Sequence, residues 1–379
     1  MKSIFIAFLI MTCALVSTDL DAQRKRKKDK DKTETKKEKH AIDEIGLSNL
    51  KFRSLGPALT SGRISDIAVH PDMNHVYYVA TSSGGVWKTV NSGTTFKPIF
   101  DGQGSYSIGC VTMDPNNHST IWIGTGENNN QRSVAYGDGI YKSMDGGSSW
   151  KHMGLKMSEH ISKIIVHPED SNTILGASVG PLWSSGGDRG VYKSTDGGQT
   201  WEATLSIDKH TGVADMIIDP SNPDVLYAAA HQRARHVFTY LGGGPGSAIY
   251  KSVDGGDTWT KSSSGLPSVD LGRIGLSISE ADPSKVNAIV EAAEGKSGFY
   301  RSTDGGASWQ KRGGHVTSGN YYQEIISDPT NADIIFSMDT WMSKSVDGGK
   351  TFKRVGEVTK HVDNHSCLLY TSPSPRDRG

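Results

Sequence analysis

The chain of 379 residues is poor in several things that would have narrowed its function at once. It has three cysteines. Cys13 falls in an N-terminal apolar run and Cys367 in an atypical tail, which leaves Cys110 and no disulfide framework. It has no apolar run long enough for a membrane span. The longest, Ile4 to Val16, is 13 residues and follows Lys2, the pattern of a cleaved export signal. It has no excess of charge, with 41 basic and 41 acidic residues. Segment 23–40 carries 10 Lys or Arg against 4 Asp or Glu. The segment from Ala41 onward is therefore slightly acidic, and a nucleic-acid groove is not expected. Long stretches of helical periodicity are also missing, and 44 glycines are present. That combination suits a turn-rich all-β domain.

What the chain has in abundance is one repeated phrase, best seen in Gly190-Val191-Tyr192-Lys193-Ser194-Thr195-Asp196-Gly197-Gly198-Gln199-Thr200-Trp201. Six copies centre on Asn91, Asp145, Asp196, Asp254, Asp304 and Asp347. Ser or Thr stands two places before each centre, a basic residue three before, Gly two after, and Trp or Phe five after. The pattern is a hairpin. The Asp accepts backbone N–H groups from the turn it opens, Gly supplies positive φ, and the closing aromatic (Trp150, Trp201, Trp259 and Trp309 in four copies) covers the turn. The aspartates are read as turn residues and not as calcium ligands or catalysts, and the repeated Lys as an outward strand residue. A second signal runs in phase. His70-Pro71, Asp114-Pro115, His167-Pro168, Asp219-Pro220, Asp282-Pro283 and Asp328-Pro329 each precede a box, with apolar strands on either side of most of them. One repeat is thus strand, Pro turn, strand, loop, strand, Asp-box turn, strand. Four strands in roughly 40–55 residues predict a propeller blade.

These are Asp-box (BNR) repeats. Together with Ser61-Gly62-Arg63-Ile64-Ser65-Asp66-Ile67-Ala68-Val69-His70-Pro71, they resemble the bacterial exported, glycosyl-hydrolase-like proteins grouped with the sortilin N-terminal domain. The resemblance runs from about Leu47 to Ser366. The expected organisation is a signal peptide at 1–22, a basic disordered tether at 23–46, a propeller at 47–366, and a non-native tail at 367–379. Six blades are visible. A seventh is expected to open at Glu357 to Ser366 and to be cut off. The expected location is the bacterial periplasm or exterior, with no membrane span after signal cleavage.

Two functions are open. A binding propeller, as the sortilin resemblance implies, would take a protein, peptide or glycan at its channel face. A glycoside hydrolase would need two carboxylates flanking the scissile bond. Asp-box propellers include sialidases and xyloglucanases. Phe52-Arg53 is followed by Ser54-Leu55-Gly56-Pro57 and not by the sialidase continuation, and Ser82 stands where the xyloglucanase phrase carries its Asp. The candidate acids are Asp66, Glu127, Asp138 and Glu324. The candidate ligand contacts are Arg63, Arg132, Tyr136, Arg233 and Tyr322. Apart from Arg63 and Asp66, which belong to the phrase at 61–71, they lie in unusual loops at 124–138, 230–246 and 319–324; a fourth unusual loop is 360–365. His361, Asp363 and His365 alternate as strand neighbours on one side, but no fourth ligand completes a metal site, and no cofactor or metal is assigned.

Overall fold

The computed structural model describes residues 62–356 and 362–367. The expected signal peptide, tether and all of the tail except Cys367 lie outside them. Among the described residues there is no helix, and six four-stranded antiparallel sheets follow one another along the chain. Blade one pairs Ile64–Val69, Tyr77–Thr81, Gly85–Thr89 and Lys97–Pro98 in that order. The other five repeat the plan, with first strands Ile108–Asp114, Ile161–His167, Thr211–Asp219, Leu271–Ser279 and Ile325–Ser327. Each first strand packs beside the next blade's first strand, so these strands line a central channel. Blade four carries an added two-stranded hairpin, Ala234–Arg235 with Tyr240–Leu241. This is a β-propeller. Residues 362–367 hold no strand; the Asp363 and Asn364 N–H groups donate to Thr340 O and Asp339 O at 2.8 and 3.0 Å.

The core lies between blades, not within them. Apolar side chains form a separate layer at each of the five junctions from blade one to blade six. A pleated strand presents side chains to both faces, and each face here meets a neighbouring blade. The box aromatics complete these layers. Trp150 Nε1 donates to Ile99 O at 2.7 Å, Trp201 to Met153 O at 2.7 Å, and Trp309 to Ser262 Oγ at 2.9 Å. Each acceptor belongs to the preceding blade, so the aromatic clamps a junction as well as covering its own turn.

The turn itself forms as the residue pattern dictates. Asp196 Oδ1 accepts the N–H groups of Gln199 and Thr200 at 2.8 and 2.9 Å, and Oδ2 accepts the Thr200 hydroxyl at 2.7 Å. Ser194 Oγ accepts Gly198 N–H at 2.9 Å. Gly198 has φ 88°, and a Cβ there would come within 2.6 Å of the Trp122 ring in blade two. Here the glycine serves the blade junction as well as the turn. The expectation of outward lysines needs correction. Lys88, Lys142 and Lys251 reach the next blade's box and donate to Gly146 O, Gly197 O and Gly305 O at 3.0, 3.3 and 2.6 Å. Their ammonium groups also sit over Tyr78, Trp122 and Tyr227. A four-carbon stem is long enough to lie across an aromatic face and cap a turn beyond it.

Because strands alternate in direction, Asp-box turns and Pro turns share one face. The loops between second and third strands share the other face with the blade-to-blade connections. The unusual loops at 124–138, 230–246 and 319–324 are on this second face.

Candidate functional site

A cavity of about 370 Å³ occupies the channel. Each blade contributes a charged residue to its wall: Asp66, Glu127, Lys163, Asp215, Arg273 and Glu324 in order. Two of the acids are bound to backbone. Asp66 accepts Ile67 N–H at 2.9 Å and Val111 N–H of blade two at 3.1 Å. Asp215 repeats this, accepting Met216 N–H at 2.9 Å and Leu276 N–H of blade five at 2.8 Å. The remaining junctions carry neutral counterparts. Thr112 Oγ1 donates to Ile164 O at 2.8 Å, Ser162 Oγ to Val213 O at 2.7 Å, and Ser277 and Ser327 share a hydroxyl contact. Asp66 and Asp215 therefore belong to a ring of inter-blade bonds. Lys163 is held above the usual lysine range, chiefly by the field of Asp66, with Asp215 adding to it.

Glu127 and Arg273 differ from these, because each has an atom left over. Glu127 is buried. Its Oε1 takes Arg63 Nε at 2.7 Å, with Arg63 Nη2 and the Asn129 amide also in contact. Its Oε2 is buried with no hydrogen-bond partner among the described residues. Arg273 is buried, its Nη2 is 3.5 Å from Glu324 Oε1, and its Nη1 is likewise buried and without a hydrogen-bond partner among the described residues. Burial lifts the Glu324 carboxyl to about 7 against the pull of Arg273, and Asp215 adds to the rise. Channel water still reaches 35% of that side chain, which tempers the rise without reversing it.

A polar strap crosses the mouth. The loop after blade two's second strand runs over the channel. Asn128 Nδ2 donates to Ala214 O of blade four at 2.9 Å, Asn130 N–H to Asn320 O at 3.0 Å, and Asn130 Nδ2 to Gly319 O at 3.0 Å. Two arginines from blade four bolt it down. Arg233 donates to Asn129 O, Asn130 Oδ1 and Gly180 O at 3.0, 2.7 and 2.7 Å. Arg235 donates to Asn130 O and Asn320 Oδ1 at 2.8 and 2.9 Å and stacks over Tyr240. Burial pulls Arg233 down to about 9. On the blade-six side an aromatic wall stands beside Arg63, which lies 5.0 Å over the Tyr321 ring. Tyr321, Tyr322 and His365 pack with ring centroids 4.6–4.9 Å apart, and the Tyr322 hydroxyl contacts Asp363. Burial brings His365 down to about 4, so its ring is neutral at ordinary pH.

The structure thus gathers Asp66, Glu127, Glu324, Arg63 and Tyr322 around or beside the channel mouth. Arg233 is there too, but its Nη1 is occupied by the strap and its Nη2 by Gly180 O. Asp138 lies away from the cavity, where its Oδ2 accepts the Tyr141 hydroxyl at 2.7 Å. Arg132 and Tyr136 are exposed on the loop face. His361 lies outside the described residues. Lys163, Asp215 and Arg273 were missed. The signal was present, since Ser65-Asp66-Ile67 and Ala214-Asp215-Met216 occupy equivalent places in their strands.

The family description "Sortilin, neurotensin receptor 3" (Sortilin-Vps10) matches twice, at residues 138–294 and 189–340, which together cover 138–340, more than half of the 379 residues. The two matches start 51 residues apart (189 − 138), the same step as from Asp145 to Asp196. The chain belongs to the Sortilin-Vps10 family. Among curated relatives of this family member is a xyloglucanase of Acetivibrio thermocellus, 26% identical over 248 residues, which are 56% of this chain and 25% of the relative. Another is a xyloglucanase of Hypocrea jecorina, 24% identical over 229 residues, or 52% of this chain and 26% of the relative. The chain spans about a quarter of the length of these relatives. Among solved structures, a GH74 xyloglucanase of Xanthomonas campestris superposes with a TM-score of 0.56 at 14% identity, covering 78% of this chain and 45% of that one. YCF48 bound to D1 peptide superposes with a TM-score of 0.53 at 17% identity, covering 83% and 89%. At such identities these likenesses speak for the fold.

Proposed function

We propose that this Sortilin-Vps10 family member is an exported binding propeller that takes the polar end of a peptide or glycan into the channel beneath the strap. The observation that carries the reading is that Glu127 and Arg273 line one cavity and each has a buried atom without a hydrogen-bond partner among the described residues, Glu127 Oε2 and Arg273 Nη1. A buried acceptor and a buried donor without partners each cost about 1–3 kcal/mol. A ligand offering one donor and one acceptor recovers both. The cavity is near the small end of the usual ligand-site range, which favours a chain end over a run of residues. The test is isothermal titration of the purified protein with xyloglucan oligosaccharides and with short peptides. Binding without turnover, weakened at least tenfold in Glu127→Gln and in Arg273→Met, is the expected result. Equal affinity in both variants would overturn the reading.

The second reading is glycoside hydrolysis, and one observation favours it. A carboxyl lifted to about 7, Glu324, shares the cavity with a second carboxyl, Glu127, which is paired with Arg63, and a glycosidase needs two carboxyl groups in one site. Both oxygens of Asp66 are engaged by N–H groups, so Glu127 is the better second carboxylate. Release of reducing ends from xyloglucan that is abolished by Glu324→Gln would establish this reading over the first.

A further inference from the structure

A separate cluster lies on the opposite face, where the Pro turns of blades one and two meet. His70 directly follows the first strand of blade one, Asp72 sits in the turn after it, and His118 is the second residue of the blade-two strand Asn117–Thr125. One ligand atom from each of the three lies within 4.8 Å of the other two. His118 Nδ1 is 3.4 Å from Asp72 Oδ2, and the two imidazoles meet edge to face with centroids 4.7 Å apart. We propose that His70, Asp72 and His118 form a binding site for a divalent transition-metal ion of the zinc type, which staples the first two blades together.

Two imidazoles and a carboxylate are the donor set that zinc takes, with water free to complete a tetrahedron. Zinc–nitrogen and zinc–oxygen bonds of about 2.0–2.2 Å need donor atoms roughly 3.3 Å apart. The His118–Asp72 pair is already at 3.4 Å and the other pairs lie within 4.8 Å, so the exposed Asp72 side chain must turn about its own bonds and the imidazoles must tilt toward each other to close the set. The imidazoles are half-buried and more restrained.

One local bond must be accounted for. Asp72 N–H donates to His70 Nδ1 at 3.2 Å. The same bond joins Glu169 N–H to His167 Nδ1 at 3.2 Å in blade three, so it belongs to the His-Pro turn in general. Coordination through His70 Nε2 requires the tautomer with the proton on Nδ1, and Asp72 N–H then turns to solvent. The bond given up is long and exposed, so water replaces it readily. Blade three also supplies an internal control: His167 has the turn and the bond, but it is not among the His, Asp and Glu groups that come this close together among the described residues.

The experiment uses the full chain, without a histidine tag, stripped with EDTA and titrated with zinc chloride by calorimetry and thermal melting. The expected result is one zinc per chain, a rise in melting temperature reversed by EDTA, and at least a tenfold loss of affinity in His118→Ala. Asp72→Asn weakens binding in the same direction, and His167→Ala leaves it unchanged. Failure to bind zinc overturns the proposal, as does an undiminished affinity in His118→Ala. His118→Gln keeps a polar side chain of similar length, so a melt of the zinc-free variant separates loss of metal from loss of fold.

Discussion

The two faces of the propeller use the same residue types in opposite ways. On the Asp-box face the box aspartates are spent close to home. Asp145 and Asp254 are exposed and Asp196 partly so, and hydrogen bonds from the turn hold each of them down to about 2. On the loop face charged groups are buried or half-buried and several reach across to another blade. Burial moves Glu324 up to about 7, Arg233 down to about 9 and His365 down to about 4. A carboxylate wrapped by local N–H groups is made more acidic and more inert. One crowded by protein with few donors is made less acidic, and the fold retains it at a cost in stability. The comparison teaches that the many aspartates of the repeat are architecture, and that chemistry is to be sought where charges have been left incompletely paired.

The largest effect expected from breaking this contrast is at the box aromatics. Trp309 is buried, and its Nε1 donates across the blade junction. Trp309→Ala should cost about 3–5 kcal/mol in denaturant unfolding, as a large-to-small core change. Trp201 makes the same kind of bond from a half-buried position, so Trp201→Ala should cost less than Trp309→Ala. Equal losses, or none, would mean that the aromatics cover turns without joining blades.

On the loop face the corresponding break is at Arg233. It is fully buried, with three oxygen acceptors and no acid partner among them. Arg233→Met should leave those oxygens unsatisfied at a cost of about 1–3 kcal/mol. It should also free the strap, so limited proteolysis should cut within Asn128 to Gln131 in the variant before it cuts the parent. If the strap remains resistant, Arg235 and the Asn130–Asn320 bond suffice to hold it.

Acid should separate the faces without any mutation. The box aspartates are more acidic when folded than when unfolded. They therefore add stability above the ordinary aspartate range near pH 4, and this is lost as pH falls toward about 2. The melting temperature should drop across that window. Asp196→Asn should lower the melting temperature modestly at pH 7, because the charge that the turn N–H groups favour is gone, and should therefore show a smaller drop on acidification. Asn91 already fills this place in blade one, where its Oδ1 accepts Thr95 N–H at 2.9 Å. A melting temperature flat from pH 5 to 2 would contradict the assignment.

The contrast also explains what could be read from the residues alone. The blades were legible because their cause is local: Ser194, Asp196, Gly198 and Trp201 lie within eight positions and make one turn. The strap was legible only as an unusual polar loop. Its meaning depends on Arg233 and Asn320, which are 103 and 190 positions from Asn130 in the sequence. The box lysines were misread because a strand pattern gives the side on which a residue stands and not how far its side chain travels. Asp138 looked like a site residue from its loop, but its partner Tyr141 is three places on in the same blade.

The smallest expected effect bears most directly on the channel. Glu324 lies 3.5 Å from Arg273 and is lifted to about 7. Below that pH it is mostly protonated and leaves the Arg273 charge unshared. Above it, the ionised carboxylate competes for the same guanidinium and repels an incoming anion. A ligand entering with a carboxylate should therefore bind severalfold more tightly at pH 6 than at pH 8. A neutral oligosaccharide should show little change over that range. Glu324→Gln should hold the anionic ligand near its low-pH affinity throughout. If the parent's affinity for a carboxylate-ended peptide is the same at pH 6 and pH 8, then Glu324 is either ionised across the whole range or too far from the ligand to matter. The cavity would then have to choose its ligand through Glu127 and Lys163, and a cationic or hydroxyl-rich chain end would fit it better than an acid.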